Sequence, residues 1–202
     1  MIEAYFSGAE LGLWGDPLAR TWGFENFGFW AGLLGNWQPN YNGQSIVMFY
    51  TYGFLHAGFL HFAVNMLTFI PLGDSVARIV GNRRFLVIYG VMIVAGSLAF
   101  ALWPEVSKPM VGASGGLFGL AGVLLSWDYA LRRRDQRSIR PIVRSVILLI
   151  LLNLALWWAM NGQLAWQTHL GGFIAGWFLG YWKRPTSLWA APPQKSATHL
   201  GE

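Results

Sequence analysis

The chain has 202 residues and no cysteine, and its charged side chains, 14 basic and 9 acidic, make up only 11% of the sequence. Soluble domains average about 25% charged residues, so this chain has too few charges to cover the surface of a soluble globular domain. With 54% hydrophobic residues it is not an intrinsically disordered chain either. The lack of cysteine excludes a disulfide scaffold and a cysteine-ligated metal site. The composition therefore indicates a polytopic membrane protein.

The first 45 residues are rich in glycine and aromatic residues and contain no signal-peptide hydrophobic region. Amphipathic rings prefer the headgroup level of a bilayer, so we predict that residues 1–45 form an external interfacial loop region with short, partly immersed helices. Such a segment would have to cross the membrane with no span to lead it. We therefore expect an earlier span upstream of Met1.

Five segments are apolar enough to span a membrane as helices, which requires about 20 residues. Four of them lack Asp, Glu, Lys and Arg and cover residues 85–103, 111–127, 145–166 and 164–182. The other, residues 46–73, also lacks these residues but is too long for one upright span. We predict that its first part lies along the interface and its second part crosses. The expected fold is an all-α helical bundle with five visible spans and a membrane domain at 46–182.

The basic residues give the spans a direction. Twelve of the fourteen Lys and Arg residues lie between spans one and two, between spans three and four, or after span five; only Arg20 and Lys108 lie on the opposite side. The positive-inside rule makes the side with twelve cytoplasmic. We expect a multi-pass inner-membrane protein whose residues 183–202 form a disordered cytoplasmic tail. Because topology explains these basic residues, no nucleic-acid partner is expected.

Polar side chains at membrane depth are costly and suggest function. Three inward-running spans carry them near their outer ends: His61 and Asn65 on the first, Ser114 on the third and His169 on the fifth. His61 and Asn65 are four residues apart and share one helix face. The predicted topology therefore brings a hydroxyl, an imidazole and a His/Asn pair into one layer.

A serine hydroxyl hydrogen-bonded to a histidine has the geometry of a nucleophile with its general base. Ser114 and His169 can form this pair if their helices approach closely, which small residues allow in lipid. The small residues on the two helices are Gly115, Gly116, Gly119 and Gly122 after the serine, and Gly172 and Gly176 after the histidine. The amides at the start of the Ser114 helix, with His61 and Asn65, could stabilise an oxyanion. The pattern predicts a hydrolytic site in a wet pocket.

The polar residues lie in three motifs that follow one another along the chain: Phe54-Leu55-His56-Ala57-Gly58 with His61-xxx-Asn65-Met66, then Gly112-Ala113-Ser114-Gly115, then His169-Leu170-Gly171-Gly172-Phe173. Together, on separate spans, they are a specific signal. Over roughly residues 46–182 the sequence resembles the rhomboid family of intramembrane serine proteases.

The resemblance implies six core spans and cleavage of membrane-spanning protein substrates within the lipid bilayer, without a cofactor. It implies a Ser114–His169 dyad with no acidic third member, and an oxyanion site made by His61, Asn65 and the Ser114 amide. Phe118, one turn after the serine, is expected to pack on the His169 ring. Gly112, Gly115, Gly172 and Gly176 are expected to support the site structurally.

The chain departs from the family pattern at three places. One core span is not visible, no Trp-Arg pair precedes Thr51, and Thr168 stands before His169 where a small alanine is common. The missing span bears on activity, and the other two departures bear on substrate gating and local packing.

Other interpretations exist for each residue taken alone. Ser114 could cap a helix, His169 could be an interfacial histidine, and Asn65 could join two helices. For His56 we expect a structural role, a hydrogen bond that fixes its loop, and for His199 in the tail no role. No metal site is expected, because HExxH is absent.

Two rival functions remain at this point. One is a catalytically inactive rhomboid-like protein that binds membrane clients. The other is a small transporter or channel subunit, which should show paired broken helices or carboxylates at mid-depth. The sequence indicates neither the oligomeric state nor the natural substrate.

Overall fold

A computed structural model of the chain describes residues 1–103 and 108–185. Residues 104–107 and most of the predicted tail, from residue 186 onward and including His199, lie outside the described residues. Within the described ranges the chain is helical and has no strand, only an isolated bridge between Phe29 and Met110. The prediction of an all-α fold is confirmed.

Eight α-helices are present in the described residues. They are α1 (Ile2–Glu10), α2 (Ala19–Phe27), α3 (Gln44–Thr51), α4 (Phe59–Val80), α5 (Asn82–Leu102), α6 (Ser114–Arg134), α7 (Arg140–Ala159) and α8 (Trp166–Trp182), with short 3₁₀ turns at Ala31–Leu34 and Tyr52–Phe54. Three of these helices, α4, α5 and α7, are long and apolar enough to cross a membrane. The most extensive helix pair is α6 with α8.

The five predicted spans coincide with α4 to α8, but several of their ends were predicted wrongly. The charge-free stretch at 46–73 divides as expected, since α3 ends at Thr51 and α4 begins at Phe59. However, α4 continues past residue 73 to Val80, and an i,i+4 ion pair between Asp74 and Arg78 lies in this extension, with 2.6 Å between the charged groups. A criterion based on the absence of charge locates the apolar part of a helix, not its charged ends.

The predicted fourth span, residues 145–166, is displaced from α7 for the same reason. The helix begins at Arg140, and a proline stands in its first turn, where its missing N–H is tolerated. It ends at Ala159, before a turn in which Asn161 and Gly162 have positive φ angles of 51° and 79°. The span is therefore earlier in the chain than predicted.

Glycines allow the backbones of α6 and α8 to touch. A Cβ atom on Gly172 would overlap the carbonyl oxygen of Gly115, and one on Gly176 would overlap that of Gly119. Any side chain at these positions would push the two helices apart. Since both helices begin at the same end of the bundle, this contact brings their first turns together.

The segment before α4 packs on the end of the bundle where α4, α6 and α8 begin. It contains the short helices that were predicted for residues 1–45. Phe29 exchanges two backbone hydrogen bonds of 3.0 Å with Met110, and the Tyr52 hydroxyl donates to the Ile93 carbonyl at 2.8 Å. The two bonds between Phe29 and Met110 fix the start of the segment that leads into α6.

Candidate active site

Ser114 is the first residue of α6 and is half-buried. The chain reaches it through Gly112, whose φ of +130° favours glycine. A Cβ atom on Gly112 would lie only 2.9 Å from Cε1 of His61, so the position also needs a residue without a side chain. The N–H groups of the first turn have no partner within the helix and point towards its N-terminal end. Ser114 therefore stands beside free amides at the positive end of a helix dipole.

His169 lies in the first turn of α8 and is buried. Its Nε2 is 2.7 Å from Ser114 Oγ, and its Nδ1 is 2.6 Å from Oδ1 of Asn153 on α7. An amide oxygen has no hydrogen to donate, so Nδ1–H donates to it. In a neutral imidazole the other nitrogen then has a free lone pair, and Nε2 accepts the hydrogen of the Ser114 hydroxyl. This is the arrangement that a general base requires.

Asn153 did not emerge from the sequence motifs. It stands alone as a polar residue in the apolar run 146–160, which is a signal of function in a membrane span. No short motif includes it, because 16 residues separate it from His169. The group that contacts Nδ1 of His169 is an amide oxygen and not a carboxylate.

Phe118 lies against the histidine ring, as the resemblance implied. The two rings are parallel within 4°, with their centroids 4.3 Å apart. Phe118 is one turn after Ser114 on α6, so one helix carries the hydroxyl and also limits the tilt of the imidazole. The histidine ring is therefore held by contacts with α6 and α7.

His61, near the start of α4, is oriented by its own loop. Its Nδ1 accepts a hydrogen bond of 3.3 Å from the Ala57 N–H, so the hydrogen of the neutral ring is on Nε2. This Nε2 would lie 3.0 Å from a Cβ atom on Gly112, and the same Cβ position is 3.8 Å from Ser114 Oγ. His61 Nε2 and Ser114 Oγ therefore both lie within 4 Å of one point beside Gly112.

Asn65 is buried one turn further along α4. Its Nδ2 donates at 2.8 Å to the His61 carbonyl of the same helix, and its Oδ1 is buried with no hydrogen-bond partner in the described part of the chain. The amide has a second hydrogen. Its role as an oxyanion donor stays a prediction.

The loop that contains His56 is held by a hydrogen bond to the backbone of this residue. Nη1 of Arg20 donates to the His56 carbonyl at 2.6 Å, whereas Nε2 of His56 is buried without a hydrogen-bond partner among residues 1–103 and 108–185. The His56 ring packs edge-on against His61, with the centroids 5.2 Å apart. Burial of the ring, and to a smaller extent the charge of the neighbouring His61, lowers the pKa of His56 to about 4, so the His56 ring is neutral at physiological pH.

Arg20 connects the N-terminal helices to the site. It forms buried hydrogen bonds of 2.8 and 3.0 Å with the two carboxylate oxygens of Glu3 and reaches Glu10 at 2.6 Å. The hydrogen bonds to Glu3, above all, raise the pKa of Arg20 above its ordinary value. The His56 carbonyl and the Ala57 N–H belong to one peptide group, so Arg20 and His61 bind opposite ends of the same peptide.

Thr168 is accommodated where the family pattern often has alanine. Its hydroxyl is 2.7 Å from the Met110 sulfur, and its methyl group occupies the space that Cβ atoms on Gly96 and Gly115 would take. Two glycines thus make room for the larger side chain.

Comparison with known proteins places the chain in a family. The Rhomboid domain family model matches residues 43–186. The chain is 36% identical over 125 residues to "Rhomboid protease GluP" of Bacillus subtilis (61% of this chain, 23% of the relative). It is 34% identical over 128 residues to "RHOMBOID-like protein 5" of Arabidopsis thaliana (63% and 40%) and 28% identical over 130 residues to "Putative rhomboid protease YdcA" of Bacillus subtilis (63% and 62%).

The chain belongs to the rhomboid family, as its motifs implied. It is therefore an integral membrane protein with the polytopic helical fold of that family. It spans less than two thirds of the length of each of these three relatives. All residues of the three sequence motifs lie inside the matched segment, and α1 and α2 precede it.

Proposed function

We propose that this protein is an intramembrane serine endopeptidase that cleaves membrane-spanning segments of other proteins. The observation that supports the proposal most directly is the distance of 2.7 Å between Ser114 Oγ and Nε2 of a histidine whose Nδ1 carries the hydrogen. Several curated relatives are named rhomboid proteases, which favours a catalytic over a purely binding function.

The reaction begins with attack of Ser114 Oγ on the scissile carbonyl carbon. His169 Nε2 takes the hydroxyl proton and later delivers it to the leaving amine. The resulting acyl-enzyme is hydrolysed by a water molecule that His169 activates in the same way. No step requires a cofactor.

The oxyanion would be stabilised by three kinds of N–H group. These are the Ser114 amide at the start of α6, Nε2–H of His61 and the second hydrogen of the Asn65 amide. Loss of one such donor typically lowers turnover by about 10² to 10³. The half-buried position of Ser114 and His61 is consistent with access for water and substrate.

The setting of the reaction follows from the basic residues and from the family. We expect a site that opens to the periplasmic side of the inner membrane and a cytoplasmic C-terminus. Substrates are expected to have small residues at the cleavage point and a locally unstable helix.

A serine-directed fluorophosphonate probe tests the proposal on the full chain in detergent micelles or vesicles. We expect labelling of the wild type and none of Ser114→Ala. Ser75→Ala is the matched control, because Ser75 is exposed on α4 and bonds only within its helix in the described structure. The wild type and Ser75→Ala should also cleave a reconstituted membrane-spanning substrate, with the products identified by mass spectrometry, and Ser114→Ala should not. A folded wild type that binds such a substrate but is neither labelled nor active would overturn the proposal in favour of client binding.

A further inference from the structure

The outer surface of α7 is almost entirely unpacked. Ile142 is its one buried residue, and every residue from 151 to 163 is exposed except Asn153. Between the first half of α7 and its neighbours lies an apolar cavity of about 260 Å³, lined by residues that include Val146 of α7, Tyr129 of α6 and Trp177 of α8. The helix is therefore loosely attached, and its polar contact with His169 stands out.

An amide on a lipid-exposed helix is costly unless it is hydrogen-bonded. Oδ1 of Asn153 meets this need with the 2.6 Å hydrogen bond from Nδ1 of His169. The bond joins α7 to the first turn of α8, where the candidate general base is located. We propose that Asn153 is a positioning residue, which selects the tautomer and the orientation of His169; this inference rests on the proposed function.

The tautomer matters because a neutral imidazole carries one hydrogen on either ring nitrogen. If the hydrogen were on Nε2, the ring would donate to Ser114 Oγ and could not accept the hydroxyl proton. The amide oxygen of Asn153 can only accept, so it favours the hydrogen on Nδ1. Asn153 thereby leaves the lone pair of Nε2 facing the serine.

The same hydrogen bond also stabilises His169 after the ring has accepted the proton of Ser114. His169 is then an imidazolium ion, and a hydrogen bond from a charged donor is roughly twice as strong as a neutral one. An amide provides this help without placing a permanent charge beside the membrane interior, as a carboxylate would. Asp74 and Asp128 are not substitutes, because each forms an ion pair with an arginine one turn further along its own helix.

The orientation of the ring depends on two neighbours. Phe118 covers its face, and Asn153 holds the Nδ1 edge. Because Asn153 moves with α7, displacement of this loosely packed helix would remove the edge contact while the stacking on α6 remained. Alignment of His169 is therefore coupled to docking of α7.

Three variants test the inference. Asn153→Leu keeps the size of the side chain and removes the acceptor. Asn153→Asp keeps the acceptor and adds a charge. Leu152→Ala is the control, an exposed residue next to Asn153 on the same helix. For each variant we would measure the rate of fluorophosphonate labelling, kcat and KM for a membrane-spanning substrate, and the dependence of both rates on pH.

We expect Asn153→Leu to lower the labelling rate and kcat by about 10- to 100-fold, the effect of losing a hydrogen bond to an ion, with KM unchanged. Asn153→Asp should keep activity and move the acid limb of the pH profile to higher pH by about one unit, since a nearby carboxylate favours the protonated ring. Leu152→Ala should remain within about twofold of wild type. A wild-type rate and pH profile for Asn153→Leu would overturn the inference while the proposed function stood.

A spectroscopic measurement tests the positioning role of Asn153 separately from the proposed protease activity. The ¹⁵N chemical shifts of the histidine ring report which nitrogen carries the hydrogen, and the chain has only four histidines to assign. We expect His169 to have the hydrogen on Nδ1 in the wild type and to become a mixture of tautomers in Asn153→Leu. This result would support the positioning role even in a chain without protease activity. Unchanged shifts in both Asn153 variants would overturn it.

Discussion

Replacement of Arg20 by glutamine removes the cation that links the N-terminal helices to the site. The guanidinium donates to both carboxylate oxygens of Glu3, to both of Glu10, and to the His56 carbonyl. Its side chain is 9% exposed and that of Glu3 only 3%, so the variant leaves a buried carboxylate without a counter-charge. The peptide group between His56 and Ala57, whose N–H donates to His61, also loses its hydrogen bond from Arg20.

The expected loss of stability follows from this burial. Removing one partner of a buried ion pair costs about 3 to 5 kcal/mol. The Glu10 side chain is 44% exposed, so screening makes its share of the total small. In a chain of this length, 1 kcal/mol corresponds to about 2 to 4 °C in Tm, so Arg20→Gln should lower Tm by about 6 to 20 °C.

Tryptophan fluorescence during thermal unfolding in detergent micelles measures this shift. The control is Arg78→Gln, because the side chain of Arg78 is 77% exposed and its pair with Asp74 lies on the surface of α4; its Tm should fall by about 2 °C at most. The double variant Glu3→Gln, Arg20→Gln should recover part of the loss, since no buried carboxylate remains. Equal shifts for Arg20→Gln and Arg78→Gln would refute the reasoning.

Two further predictions concern packing and pH. Gly172→Ala should lower both Tm and the fluorophosphonate labelling rate, because its Cβ would overlap the Gly115 carbonyl. Gly90→Ala is the control and should change neither, since its nearest new contact is at 3.5 Å. Equal effects of the two variants would contradict the close contact between α6 and α8. The hydrogen bond from Arg20 holds the pKa of Glu10 below its ordinary value of 4.5, so its stabilisation is present above pH 4.5 and is lost as the pH falls below that value. Between about pH 7 and pH 3, Tm should therefore fall less for Glu10→Gln than for wild type. Identical falls would contradict a pH-dependent stabilisation by the Arg20–Glu10 hydrogen bond.

The amino-acid sequence predicted much of the site because its signals are local. Hydropathy located the apolar part of α4 to α8, and the spacing of glycines located the contact faces of α6 and α8. Ser114, His61 and His169 each stand in a short motif, and the common direction of their spans placed them at one end of the bundle. Hydropathy could not locate the helix ends, because charged residues that continue a helix resemble charged residues in a loop.

The tertiary structure alone decided which distant residues complete the site. Asn153 reaches His169 from another helix, Arg20 reaches the His56 carbonyl across 36 residues, and Thr168 fits because glycines on α5 and α6 leave room for it. None of these contacts has a fixed spacing along the chain. Periodicity and motifs report interactions within a few residues, whereas hydrogen bonds between elements depend on how the helices pack.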